Sequence, residues 1–477
     1  MNTDTPITMT PMHAVTRRQF LSRVGAGVGG MALASLLGER SLLSDEMPHH
    51  APRAKRVIYL HMAGSPPHHD LLDPKPELAK WDGEKCPDHL LDPEQFAFIK
   101  GHPTVLPSPY AFKAHGESGT EISELMPHLS KMADKLCVVR SMHTDQFNHA
   151  PAQLFLYTGS PRLGRPSMGA WATWGLGSEN RNLPGYVVLV SGGKVPSAGK
   201  SVWGSGFLPS VHQGVQCRSS GDPILYVGDP DGLPRDLRRD SLDALTRLNQ
   251  LQCEQMGDPE TLARVAQYEL AFRMQMSVPE ATEIADESAA TLEAYGASPG
   301  GSSFANNCLL ARRLVERGVR FVQLFDWGWD THGTGTHDDI MNQLPLKCRQ
   351  TDRPIAALLA DLETRGLLED TLVVWSGEFG RTAMNEKRNG STYLGRDHHP
   401  HCFSIWMAGG GVKGGHVHGE TCDFGAQIVR DPVGIHDLQA TIMHLLGYDH
   451  EKLTYPFQGR DYRLTDVHGS VIPGLIG

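Results

Sequence analysis

Histidine is abundant in this chain, 24 in 477 residues, and it is bunched as His68-His69, His398-His399-Pro400-His401 and His416-Val417-His418. Neutral imidazole and carboxylate oxygen are the donors that Zn²⁺, Mn²⁺ and similar ions accept. Three segments carry such donors: Asp326-Trp327-Gly328-Trp329-Asp330-Thr331-His332, with His337, Asp338 and Asp339 close behind; Ser376-Gly377-Glu378-Phe379-Gly380-Arg381-Thr382, which offers a carboxylate alone; and Gly395-Arg396-Asp397-His398-His399-Pro400-His401. Each alone has a plainer reading, as a capped turn, a helix N-terminal charge or a surface histidine. His68-His69 follows Pro66-Pro67 and reads as a polar loop. Arg381 and Arg396 either clamp a sulfate, phosphate or carboxylate bidentately or close salt bridges to the neighbouring acids.

What must position these residues is a set of apolar runs directly before them. Arg56 to His61, Leu136 to Arg140, Tyr186 to Val190, Val319 to Phe325, Thr371 to Trp375 and Phe403 to Met407 read as buried strands. Between them, Ala305, Cys308, Leu309, Leu314 and Val315 form a helical stripe that Gly318 ends, and Pro354 opens a second helix that runs to Gly366. Alternating strands and helices predict an α/β fold, a sheet covered by helices, in which ligands collect at the carboxyl ends of the strands.

Forty per cent hydrophobic and 21% charged residues describe a globular chain, and 44 basic against 54 acidic residues argue against a nucleic-acid partner. Thr16-Arg17-Arg18-Gln19-Phe20-Leu21 precedes an apolar run, Val24 to Leu37, whose 14 residues fall short of the roughly 20 of a membrane span. Residues 1–45 therefore read as a signal peptide and linker. The paired arginines resemble the twin-arginine (Tat) signal, which implies the Tat export machinery as a partner, a periplasmic or secreted destination and no membrane anchor after cleavage. Residues 46–477 form one domain, in which the Gly-, Ser- and Pro-rich stretch and polar helical region of 192–300 read as an insertion that caps the sheet. Eight cysteines are scattered without a C-x-x-C pair, so few or no disulfides are expected.

Several segments resemble known motifs. Gly366 to Gly380 is similar to the sulfatase segment G-L-x-D-N-T-L-[VI]-x-F-T-S-D-[HN]-G. His149 to Gly159 resembles the sulfatase signature [CS]-x-P-[ST]-R-x-x-L-x-T-G, and Asp437 to Gly447 is similar to a helix near the end of sulfatases. Asp397 to Gly411 looks like the alkaline-phosphatase segment in which a metal-binding histidine precedes an apolar strand. From Arg56 onward the chain resembles the bacterial family catalogued as domain of unknown function 1501, through His61-Met62-Ala63-Gly64-Ser65-Pro66-Pro67, Asp70 to Pro76, Asn148-His149, Trp329-Asp330-Thr331-His332, Gly377 to Thr382 and Gly395 to His398. Met62 to Pro67 and Phe457 to Tyr462 look like its planctomycete branch.

The resemblance implies an alkaline-phosphatase-like three-layer sandwich with a central mixed, mostly parallel sheet. It also implies an exported, metal-dependent hydrolase of sulfate or phosphate esters, either small molecules or esters on a polysaccharide. His149 stands where that superfamily has its Cys or Ser nucleophile, and Gln153 where sulfatases have Arg, so formylglycine chemistry is excluded. His149 then either attacks, with Asn148 beside it facing the scissile group, or serves as a ligand or cap. The implied metal set for a divalent ion (Zn, Mn or Ca) is Asp330, His332, Glu378, Asp397 and His398, with His399 and His61 in reserve. Asp70 and Asp73 are substitutes for the paired acids that sulfatases carry after the first strand. Arg381 and Arg396 would bind substrate. The alternative is a binding or scaffold protein that keeps the fold without the nucleophile.

Overall fold

A computed structural model describes residues 48–91, 96–218, 235–256 and 259–477; the expected export signal lies outside the described residues. Nine strands build the central sheet: β1 (Arg56–Ala63), β2 (Leu136–His143), β3 (Tyr186–Ser191), β4 (Val215–Cys217), β5 (Phe321–Trp327), β6 (Thr371–Ser376), β7 (Phe403–Ala408), β8 (His416–His418) and β9 (Val433–Gly434). Their order is β8-β2-β7-β6-β1-β5-β3-β4, with β9 also paired to β2. Only the pairings of β7 are antiparallel. In the middle, Val57 of β1 lies opposite Phe321 of β5 and Leu372 of β6, all three strands parallel. The segments that follow them therefore emerge at one edge of the sheet.

Near-continuous apolar runs suit strands buried on both faces. Ile58, Leu60 and Met62 join Val322, Leu324, Val373 and Trp375 in one core, and Val57 and Tyr59 join Phe321, Phe325, Leu372 and Val374 in the other. Helices α1 (His149–Thr158), α2 (Met168–Leu176), α6 (Phe304–Glu316), α7 (Gln343–Thr364) and α8 (Ile435–Leu445) cover the sheet; α3 (Arg235–Met256), α4 (Pro259–Thr282) and α5 (Ala289–Tyr295) lie in the chain between α2 and α6. α6 and α7 contribute to the first core, and α1, α2 and α8 to the second. Each Val, Leu or Ile buried in this way contributes about 1.5–3 kcal/mol. A one-residue slip of β1 would exchange its two faces.

Two boundaries differ from the sequence reading. β5 starts at Phe321, not Val319, because Val319 N–H bonds back to Leu314 in the turn that ends α6, and the strand runs on through Asp326 and Trp327. α7 begins at Gln343, and Pro354 lies inside it. Leu344, Cys348 and Thr351 extend the buried stripe upstream, and their burial offsets the roughly 3 kcal/mol cost of an interior proline. The 192–300 region contributes the edge strand β4 as well as α3 and α4.

Candidate metal centre

The turns after β1, β5 and β6 interlock. Gly64 has φ +105, and a Cβ there would stand 2.5 Å from the Asp330 backbone nitrogen. Ser65 Oγ accepts the N–H groups of Glu378 (3.0 Å) and Phe379 (3.1 Å). The Arg381 guanidinium, wholly buried, donates to the carbonyls of Gly64, Ser65 and Arg396 and to Asp330 Oδ1. One arginine thus ties four segments of chain together.

Three imidazoles converge on the Asp330 carboxylate. His332 Nε2 lies 2.8 Å from Oδ1, His398 Nε2 3.3 Å from Oδ1, and His149 Nε2 3.3 Å from Oδ2. One ligand atom from each of His149, Asp330, His332 and His398 lies within 4.8 Å of all the others. Each ring is aimed by an acceptor behind it: Nδ1 of His149 bonds Glu378 Oε1 at 2.7 Å, Nδ1 of His332 bonds Glu386, and Nδ1 of His398 bonds the Phe147 carbonyl at 2.8 Å. That is the outer-shell pattern of metal-binding histidines, in which the second nitrogen is held so that the first points at the ion.

Charges follow from this packing. Burial alone would raise the Asp330 pKa, but Arg381 and the three imidazoles hold it well below the usual carboxylate range. Burial likewise opposes charge on His149, yet its bonds to Asp330 and Glu378 prevail and raise its pKa to about 9. His332 is raised in the same way by Asp330 and Glu386. Burial dominates at His398 and lowers it to about 3, so that ring is neutral. A carbonyl only accepts, so the His398 proton sits on Nδ1 and the Nε2 lone pair faces a carboxylate oxygen. Two acceptors facing each other call for a cation between them, and the donor set of three imidazoles and one carboxylate suits a divalent transition-series ion.

The remaining predicted residues fall elsewhere. Glu378 stands behind His149, accepting also from Gln153 Nε2 (3.1 Å) and Gly64 N–H (3.1 Å), with His61 Nε2 3.3 Å away on its far side. Asp397 accepts the N–H groups of Phe98, Ile99 and His398. It groups with His332 and Glu386 instead of Asp330's circle. His399 points away from His398, as alternate strand residues do, and bonds the Ala426 carbonyl at 2.8 Å. His68 and His69 are buried, not loop decoration: they bond the carbonyls of Gly425 (3.1 Å) and Phe424 (3.0 Å), so three histidines hold three successive carbonyls of one loop. Arg396 makes a fully buried bidentate pair with Asp70 (2.8 and 3.0 Å) and donates to Leu106 and Thr382 carbonyls. Asp73 pairs with Lys75 at 3.0 Å. Both arginines expected to clamp substrate are therefore engaged internally. Asn148 is exposed at the N-cap of α1, where its side chain caps nothing.

Glu386, Arg388 and Phe98 went unmarked in the sequence. Arg388 donates to Glu386 (2.5 Å), lies 3.2 Å from His332 Nδ1 and sits over the Phe98 ring at 4.4 Å. Phe98 in turn meets His332 and His398 edge-on. The charged run Glu386-Lys387-Arg388 was the available signal, but no apolar strand precedes it.

These features define an α/β protein with a carboxylate-centred histidine cluster at the carboxyl ends of parallel strands. The chain belongs to the family described as "Protein of unknown function (DUF1501)", whose model matches residues 54–476. No curated protein sequence matches it. Among solved structures it is similar to the lipoteichoic acid synthase LtaP from Listeria monocytogenes, at 11% identity over 84% of this chain and 74% of that one, with a TM-score of 0.35. It is also similar to the PsFucS1 sulfatase from Pseudoalteromonas sp., at 14% identity over 84% and 69%, TM-score 0.35. A third similar structure is a protein in the alkaline phosphatase superfamily from Vibrio parahaemolyticus, at 10% identity over 86% and 70%, TM-score 0.36.

Proposed function

We propose that the protein is an exported, metal-dependent hydrolase of sulfate or phosphate esters, with esters carried on polysaccharides as the favoured substrate class. The observation that carries this reading is the aim of the three Nε2 atoms at Asp330, each ring held from behind. His149, Asp330, His332 and His398 would hold the ion, and their mixed nitrogen and oxygen donors favour Zn or Mn over Ca, which takes oxygen ligands. When bound, such an ion supplies Lewis-acid polarisation of an ester oxygen. The ester class itself rests on the sulfatase-like and phosphatase-like motifs.

The chain's own groups complete the site. Nδ1 on Glu378 and Nε2 on Asp330 support reading His149 as a ligand and not as a free nucleophile. The N-terminus of α1 offers positive potential to an anionic ester, and the Asn148 amide at that end is free to donate. Arg388, part-exposed beside His332, replaces the two buried arginines as the group able to meet the ester's anionic oxygens. Export by the twin-arginine route is part of the proposal; among the described residues no helix is long and apolar enough to cross a membrane.

The test is turnover of an aryl sulfate, a phosphate monoester and a phosphodiester by protein loaded with Zn or Mn, beside Asp330→Asn. The proposal expects hydrolysis of at least one, abolished in the variant. Loaded protein that turns over none of them would leave the non-catalytic binding reading in its place.

A further inference from the structure

Next to the cluster, where β3 and β5 end, lies a cavity of about 560 Å³, within the usual range for small-molecule sites. Ser191, Asp326, Lys347, Arg349, Arg353 and the start of α6 at Phe304 line it. Its one lining carboxylate is already neutralised: Asp326 takes the Lys347 ammonium at 2.5 Å, Ser191 Oγ at 2.7 Å and Trp329 Nε1 at 3.0 Å. What remains is positive. Arg349 is exposed and has no hydrogen bond or ion pair among the described residues. Among the described residues Arg353 donates to the carbonyls of Glu293 and Ala294 and pairs with no carboxylate. The N-terminus of α6 adds partial positive charge on the same wall.

The cavity and the cluster are joined through Trp327. A Cβ on Gly192, a lining residue, would stand 2.4 Å from the Trp327 carbonyl oxygen. The Trp327 ring lies 6.0 Å from that of His149, and the Lys194 ammonium sits over it at 5.6 Å. Lys194, two residues beyond the lining Gly192, thus places a further cation over the ring that faces His149.

We infer that this cavity is a subsite for a second anionic group, a sulfate, phosphate or carboxylate, on a polyanionic saccharide whose scissile ester lies at the cluster. The subsite rests on the cavity's own charge, and the placing of the scissile ester rests on the hydrolase reading. The probe is a fluorescein-labelled dextran sulfate oligosaccharide, titrated by anisotropy into the full chain, with neutral dextran as control. Arg349→Glu and Arg353→Glu each weaken binding about tenfold or more, as expected for loss of one charged contact. Arg181→Glu, at an exposed arginine that does not line the cavity, leaves it unchanged. Equal affinity in wild type and Arg349→Glu, equal weakening by Arg181→Glu, or no binding to the wild type overturns the inference. Arg349 is exposed and makes no hydrogen bond or ion pair among the described residues, so that variant decides the matter if Arg353→Glu fails to fold. Should no ester be hydrolysed while binding stays sensitive to Arg349, the hydrolase reading fails and the subsite stands.

Discussion

Asp330 is the residue on which the site turns, and Glu378 acts on it at one remove through His149. The two acids should therefore fail differently. Asp330→Asn removes the carboxylate charge on which the three imidazoles converge and should abolish metal binding, whereas Glu378→Gln only loosens the aim of His149 and should cost about 10–100-fold in metal affinity; titration calorimetry with Zn separates the two. The proton on His149 gives a second prediction. Its pKa is raised to about 9 from 6.5, so its contribution to the stability of the metal-free protein is full below pH 6.5 and is lost as pH rises through about 9. Metal must displace that proton, so apparent Zn affinity should climb from pH 6.5 to 9 with proton release; a flat profile would remove His149 from the ligand set. Asp330, His332 and His398 were legible because each follows an apolar run or precedes one. Glu378, Arg381 and Arg396 share that position, and spacing reads the first as a ligand and the arginines as substrate clamps, since burial and internal pairing leave no mark on sequence spacing.

At the scale of elements, the turn after β1 sets the Asp330 backbone. Gly64→Ala would force a residue with φ +105 to carry a Cβ 2.5 Å from the Asp330 nitrogen. Denaturant unfolding should show a loss of about 1–3 kcal/mol, and metal affinity should fall with it although no ligand is changed. Unaltered affinity would mean that the interlocked turns do not position the carboxylate. Six of the nine strands are legible, because runs such as Val57 to Leu60 suit a sheet covered on both faces, whereas β4, β8 and β9, two or three residues each, are too short to show a pattern. The start of α7 was not: Pro354 is a strong local signal for a helix beginning, and only the packing of Leu344 and Cys348 overrules it. Likewise, Val319 is apolar enough to pass for strand, but its N–H belongs to the turn after α6.

Across the whole molecule, the buried Arg396–Asp70 pair joins residues 326 apart in sequence, fixing the loop after β1 to the segment that carries Asp397 and His398. Breaking it with Asp70→Asn leaves a buried guanidinium without its counter-charge and should cost about 3–5 kcal/mol in unfolding experiments; a change under about 1 kcal/mol would show that the pair is not structural. The same fold gathers His149, Asp330, His332 and His398 from segments spread over some 250 residues of chain. Metal content measured by elemental analysis on protein purified with Zn or Mn, wild type beside Asp330→Asn, tests that gathering most directly. The wild type should hold about one ion per chain and the variant almost none. A wild type without metal, or a variant that keeps as much, would contradict the metal centre on which the proposed chemistry depends.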